Sequence, residues 1–192
     1  MSYYGVVRKL FKISARKMCL DCKKFIKEGS KILDLGCGSG VAGKEFQDFF
    51  KSDLIGIDIV DQRIEKIPFK LFDGFNIPFP DNFFDVVLIN YVLHHGQDQD
   101  ALLKETKRVS KEKIIIFEDL PEGFLSKIYC WLHGLSYSLV SRSSKGRLNF
   151  RNQAGWEKFF NHLQLKIIAK KRITTSISFF DLSKRILYIL KK

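Results

Sequence analysis

The 192-residue chain is poor in several features, and each shortage excludes a class of protein. Its longest apolar stretches, such as Val86-Val87-Leu88-Ile89, fall far below the roughly 20 residues that a membrane-spanning helix needs. The opening Met-Ser-Tyr-Tyr-Gly has no basic n-region, apolar h-region or small-residue cleavage site, so a soluble, cytoplasmic protein is expected. Four cysteines are too few and too scattered for a disulfide framework. Cys19 and Cys22 form a lone CxxC with no second pair at zinc-finger spacing. Both are expected to pack a helix, Cys130 is expected in the core, and no metal site is expected. Internal repeats, low-complexity tracts and obvious linkers are also missing. With 45% hydrophobic and 14% aromatic residues, the chain is expected to bury one real core.

Acid is scarce overall, and its distribution is uneven. The formal net charge is +12. Residues 1–30 hold eight Lys/Arg against two acids, residues 31–100 six against twelve, and residues 101–192 nineteen against seven. An acidic centre suits a cationic ligand, while basic flanks suit an anionic substrate, a nucleic acid or an anionic membrane surface. The first 29 residues read as a separate basic amphipathic helical segment, a lid or cover. Val7, Phe11, Ser14, Met18, Cys22 and Phe25 recur there at helical spacing among eight Lys/Arg.

Residues 30–192 alternate strand-like apolar runs with helical patterns. Strands are expected at 31–35, 54–60, 69–72, 85–91 and 113–118, with the clearest helices at 40–51 and 98–109. Continuous Ile/Leu/Val runs separated by helices imply a parallel sheet buried on both faces. An apolar-aromatic helix is expected over 122–140, with Phe124, Ile128, Trp131, Leu132, Leu135 and Leu139 near one face, and another over 155–162. Strands at 165–173 and 185–190 have no clear crossover helix between them, so they are expected to close the sheet as an antiparallel pair. The basic run Arg142 to Arg147, with Arg151 beyond, would complete a helical and basic-loop substrate cap at about 121–162.

The chemistry is concentrated in Ile32-Leu33-Asp34-Leu35-Gly36-Cys37-Gly38-Ser39-Gly40, where a buried strand ends in an acid and opens into glycines. Glycine lets backbone take positive φ and approach a ligand closely, so this turn binds a nucleotide-like molecule. Two patterns overlap here. Gly38 to Gly43 fits GxGxxG, with Asp58 about twenty residues on, as a dinucleotide site requires. Its glycines begin beyond a turn already opened at Gly36, however, and Asp34 would put a carboxylate where a pyrophosphate should approach. A hydride-transfer site finds no support elsewhere, since the Tyr-x-x-x-Lys at Tyr188 to Lys192 falls in an expected strand.

The other pattern, Asp34-Leu35-Gly36-Cys37-Gly38-Ser39-Gly40, resembles the first motif of the class I S-adenosylmethionine-dependent methyltransferases. Three further segments agree in order and spacing: Gly56-Ile57-Asp58-Ile59; Asp73-Gly74 with the following Ile77-Pro78-Phe79 and Asp81 to Asp85; and Phe84 to His95. The last is similar to the fourth motif of the small-molecule, quinone-methyltransferase-like branch. The resemblance implies a Rossmann-like, doubly wound α/β fold with helices on both faces of a mostly parallel seven-stranded sheet. It also implies S-adenosyl-L-methionine as cofactor, held by Asp34, Gly36, Cys37, Gly38, Gly40, Asp58, Ile59, Asp73, Gly74 and Asn90. Asp34 would lie by the amino-acid end, Asp58 would accept from the ribose hydroxyls, and Asp73 from the adenine amino group.

Methyl transfer is an in-line displacement, and positioning can supply up to roughly 7–11 kcal/mol of the barrier reduction. His95 and His94, at the tip of the fourth strand, are candidates for taking a proton from the acceptor or for shaping the pocket. Glu118 and Asp119 close the fifth strand and would orient the acceptor, or Asp119 would cap the following helix. The expected function is methyl transfer to a small apolar or amphiphilic acceptor. A nucleic-acid methyltransferase using the basic flanks is the alternative, against which stands the lack of an Asn/Asp-Pro-Pro-aromatic segment at Asn90-Tyr91-Val92-Leu93. A non-catalytic cofactor-binding or partner protein on the same fold is the second alternative.

Overall fold

The computed structural model describes residues 3–140, 149–173 and 184–192, with side chains described for 8–132, 149–173 and 184–192. The Arg142 to Arg147 run and the side chains of Val7, Leu135 and Leu139 lie outside the described residues. The elements follow in the order α1 (Tyr3–Cys22), β1 (Lys31–Leu35), α2 (Val41–Phe50), β2 (Asp53–Asp58), β3 (Phe69–Leu71), β4 (Phe84–Asn90) and a 3-10 turn (Leu93–His95). Next come α3 (Gln99–Val109), β5 (Ser110–Leu120), α4 (Phe124–Val140), α5 (Gln153–His162), β6 (Lys166–Ile173) and β7 (Lys184–Lys191).

The strands form one seven-stranded sheet in the order β3-β2-β1-β4-β5-β7-β6 among the described residues. All pairs from β3 to β5 are parallel, and β7 runs antiparallel to both β5 and β6. The expected terminal antiparallel pair is therefore present, with β7 lying between β5 and β6, so β7 alone runs against the rest. The expected Rossmann-like architecture is confirmed.

Strand alternation sorts the apolar residues onto two faces. Leu33, Leu35, Ile57, Val87, Ile89 and Ile116 meet α3 and α5 through Leu102, Leu103, Trp156 and Phe160. Ile32, Leu54, Val86, Leu88, Ile115 and Phe117 meet α1 and α2 through Met18, Cys19, Cys22 and Phe46. Cys19, Cys22 and Cys130 are buried free thiols, as packing required. Burial also pushes the Cys19 thiol up to about 12, which makes it unreactive near neutral pH.

The buried stripe of α1 differs from the expected one. Ala15, Met18, Cys19 and Cys22 are buried, whereas Phe11 is 53% exposed. Packing against the sheet begins at Ala15, and the preceding described turn is tied down through Arg8, which pairs with Glu65 at 2.7 Å. Arg16 pairs with Glu45 and lies over the Phe49 ring, fixing α1 on α2. This arrangement predicts a sharp contrast in urea unfolding. Met18→Asp should cost about 2–5 kcal/mol through lost burial and a buried charge. Phe11→Asp should stay within about 0.5 kcal/mol of the parent. Equal losses would contradict the observed docking of α1.

Candidate active site

Parallel strands bring their carboxyl ends to one edge of the sheet, and the order β2-β1-β4-β5 sets the candidate residues side by side there. After Leu35 the chain turns at Gly36, with φ 71°, where an added Cβ would lie 2.4 Å from Val92 Cγ2. Val92 follows β4, so the turn is packed against the tip of the neighbouring strand. Gly36 and Cys37 both donate backbone hydrogen bonds to the Ile57 carbonyl, at 2.8 and 3.1 Å. Gly38 also has positive φ, and nothing lies within 4 Å of where its Cβ would be. Gly40, with φ 74°, starts α2 without any side-chain cap.

Asp34 is the unusual group. It is 1% exposed, and neither carboxylate oxygen has a hydrogen-bond partner among the described residues. α2 lies directly on it, since a Cβ at Gly43 would come within 2.5 Å of Asp34 Oδ2. Burial, and then the nearby Asp58 charge, push its carboxyl up to about 7. Asn90, which follows the residue in register with Leu35, also has both side-chain amide atoms buried without a partner among the described residues.

Asp58 is already engaged with backbone. One oxygen accepts from the Gly38 N–H at 2.8 Å, and the other from the Ile59 N–H at 2.7 Å. It thereby couples the end of β2 to the glycine turn, and keeps spare acceptor capacity. Asp73 is exposed and accepts from the Phe75 and Asn76 N–H groups and from the Asn76 amide. These bonds hold its carboxyl below the ordinary range. Gly74 has φ 87°, with Ile59 3.4 Å from its added Cβ, and Ile59 itself is exposed. Cys37 lends only backbone to the turn. Its sulfur packs into the space that a Cβ on Gly56 would need, and burial pushes its thiol up to about 12.

The two histidines differ sharply. His94 has no solvent exposure, and its Nδ1 lies 2.6 Å from Glu118 Oε2, with Glu118 equally buried. Glu118 Oε1 accepts from the Leu93 N–H at 2.8 Å, and the His94 ring stacks on Phe150 with centroids 4.5 Å apart. The Asn149 N–H donates to the His94 carbonyl, so this pair ties residues 149–150 to the tip of β4. His95 is half-buried beside it. Asp119 does not cap a helix. It lies within β5 and pairs with Arg185 at 3.0 Å, because β5 continues to Leu120 and α4 starts only at Phe124.

Tyr91, which sequence reasoning did not single out, holds φ 57° at the end of β4. A non-glycine residue in that conformation is costly and persists only when its surroundings impose it. Arg185, anchored on Asp119, stands 5.1 Å from the centre of its ring. Tyr91 also lines a cleft of about 360 Å³ between α1 and the end of β6, together with Met18, Leu20, Ile173, Lys17 and Arg172. No signal short of the fold itself joins these residues.

Two stability effects follow. Gly36→Ala combines left-handed strain of about 1–2 kcal/mol with overpacking of about 1–3 kcal/mol, whereas Gly38→Ala carries the strain alone. Urea midpoints should fall in that order. For Asp34, a folded pKa above the unfolded one means that stability is full below about pH 4 and is lost as pH rises through about 7. Asp34→Asn should therefore stabilise the ligand-free protein at pH 8 by about 1–3 kcal/mol and change little at pH 4. Destabilisation at both pH values would contradict the unpaired carboxylate.

The model of the methyltransferase domain family matches residues 33–117. A sterol 24-C-methyltransferase of Aspergillus fumigatus is 32% identical over 120 residues, covering 56% of this chain and 29% of the relative. A ubiquinone/menaquinone biosynthesis C-methyltransferase of Burkholderia orbicola is 32% identical over 99 residues, covering 45% of this chain and 41% of the relative. The match thus spans well under half of these relatives' own lengths. Among solved structures, an S-adenosylmethionine-dependent methyltransferase from Archaeoglobus fulgidus superposes with a TM-score of 0.72 at 16% identity, covering all of both chains, which shows a shared fold. Residues 33–117 thus match a methyltransferase domain, and the chain shares the fold of solved S-adenosylmethionine-dependent methyltransferases.

Proposed function

We propose that this chain transfers a methyl group from S-adenosylmethionine to a small apolar or amphiphilic acceptor. The observation that supports this best is the pair of unpartnered polar groups, the Asp34 carboxylate and the Asn90 amide, buried at neighbouring strand ends beside an open glycine turn. A buried charge without a partner costs several kcal/mol, and a cationic ligand is what would relieve it. The cofactor's ammonium suits Asp34, and its lack of phosphate suits an acidic pocket. Asp58, already braced by two backbone donors, would accept from the ribose hydroxyls. Gly36, Gly38 and Gly40 would let backbone approach the ligand, and Ile59, Asp73 and Gly74 would frame the adenine. When bound, the cofactor supplies a methyl group on a sulfonium that leaves without acid assistance.

The chain's own work is then alignment and exclusion of water. The cleft that Tyr91 floors begins one residue beyond Asn90, which makes it the natural place for the acceptor. Its lining joins Met18, Leu20 and Ile173 to Ser14, Lys17, the paired Lys171 and Asp21, and Arg172, a combination suited to an apolar body with a polar end. The names of the sterol and quinone relatives accord with an apolar acceptor. His94 serves as a buried brace in this reading, and His95 is left as the group that takes a proton where the acceptor must lose one.

Calorimetry with S-adenosylhomocysteine, S-adenosylmethionine and NAD tests the cofactor. The first two should bind and NAD should not, and Asp58→Asn should weaken binding by about tenfold or more, the worth of a charged hydrogen bond. Tight NAD binding with no response to the methionine cofactor would overturn the proposal. Affinity should also rise about tenfold between pH 6 and pH 8, because the cation binds only the ionised Asp34, whose pKa in the free protein is about 7. Once an acceptor is found by metabolite screening, His95→Ala should lower turnover by about 10²–10⁴-fold if it is the base. Unchanged turnover would leave positioning as the whole mechanism.

A further inference from the structure

The aromatic stripe of α4 faces outward. Phe124 is 78% exposed and Trp131 67%, and Leu125, Ile128 and Leu132 stand out beside them. At 3.6 residues per turn these five fall within an arc of about 120°, along about 12 Å of helix. The opposite side of α4 is the docked one. Ser126 and Cys130, four residues apart, are buried, and Ser126 Oγ both donates to the Leu120 carbonyl and accepts from the Lys184 N–H. The helix is therefore fixed to the ends of β5 and β7 through small side chains, while its large apolar ones meet solvent. A contiguous apolar ridge of this kind marks a contact surface rather than ordinary scatter.

We infer that this face of α4 docks on an anionic lipid bilayer, with the helix lying in the plane of the headgroups. Charge selects that occupant. From Phe124 to Val140 the sequence has one lysine, one histidine and no acid. Lys127 borders the stripe and is exposed, and the Lys184 ammonium lies 3.6 Å from the position of a Cβ on Gly123, at the start of the helix. A positive border around an apolar ridge matches an anionic interface, where aromatic side chains sit at headgroup depth. A second copy docked on the same face would set these cations against their equivalents. Among the described residues this convex, apolar ridge also offers no groove or basic stripe for a nucleic acid. Glu122, just before α4, pairs with Arg172 at 2.9 Å, so the docked face stands next to the rim of the cleft. The inference concerns surface chemistry and holds whether or not methyl transfer is the activity.

Vesicle sedimentation and tryptophan emission test it together. Trp131 is exposed and Trp156 is fully buried, so a change in emission on binding reports Trp131. The full chain should sediment with phosphatidylcholine vesicles containing a third phosphatidylglycerol, more weakly with phosphatidylcholine alone, and the Trp131 emission should shift to the blue. The double variant Leu125→Asp/Trp131→Asp, which alters only exposed side chains, should keep the parent's unfolding midpoint and S-adenosylhomocysteine affinity. It should lose more than tenfold in partitioning, since two large apolar side chains no longer leave water on binding. Three results would overturn the inference. Failure of the parent to bind anionic vesicles would mean that no membrane contact exists. Binding that survives in the double variant and vanishes in Leu10→Asp/Phe11→Asp would move the contact to α1. A lipid-free dimer in sedimentation equilibrium, abolished by the double variant, would assign the face to a second copy.

Discussion

A carboxylate sealed under a helix, with no hydrogen-bond partner among the described residues, is the constraint around which this molecule is arranged. Asp34 is carried to the end of β1 by a strand whose other residues belong to the core, and α2 closes over it at Gly43. A folded domain is only marginally stable, so several kcal/mol spent on one unpaired group must be compensated by packing elsewhere. The two apolar layers, one under α1 and α2 and one under α3 and α5, do that. The parallel topology fixes where the strain is placed, because every parallel strand from β1 to β5 ends at the same edge.

Around that point the loops are braced rather than loose. Asp58 ties the end of β2 to the glycine turn, Asp73 organises the loop after β3, and Glu118 with His94 clamps the tip of β4 to residues 149–150. Each of these carboxylates has donors in the free protein, which is what separates them from Asp34. The turn itself is held by Val92 against Gly36. The edge is therefore pre-organised, the property that an enzyme working by alignment needs most.

Much of this was legible in the chain. The first strand reads at 31–35 and is found there, because an apolar run with clear polar ends leaves little choice. The glycine turn and the acids at Asp34 and Asp58 were visible because motif and spacing are local. What escaped depended on partners distant in sequence. Asp119 looked like a helix cap until β5 proved to run through it to Leu120, paired with β7. His94 looked like a proton acceptor at a strand tip, yet Glu118 and Phe150, 24 and 56 residues away, bury it. In α4 the bulky stripe is what the sequence displays, yet among the described side chains the small Ser126 and Cys130 are the buried ones. Tyr91 carries positive φ without the glycine that would advertise it.

Completion of the Asp34 site by a cationic ligand, as proposed, has a direct consequence for protons. It is tested most directly by counting protons released when S-adenosylhomocysteine binds at pH 6.5, using calorimetry in two buffers of different ionisation enthalpy. The free carboxyl, with its pKa near 7, is mostly protonated at that pH and must ionise to meet the ammonium. The parent should release a large fraction of one proton and Asp34→Asn none. Equal proton release by both, or none by either, would contradict it.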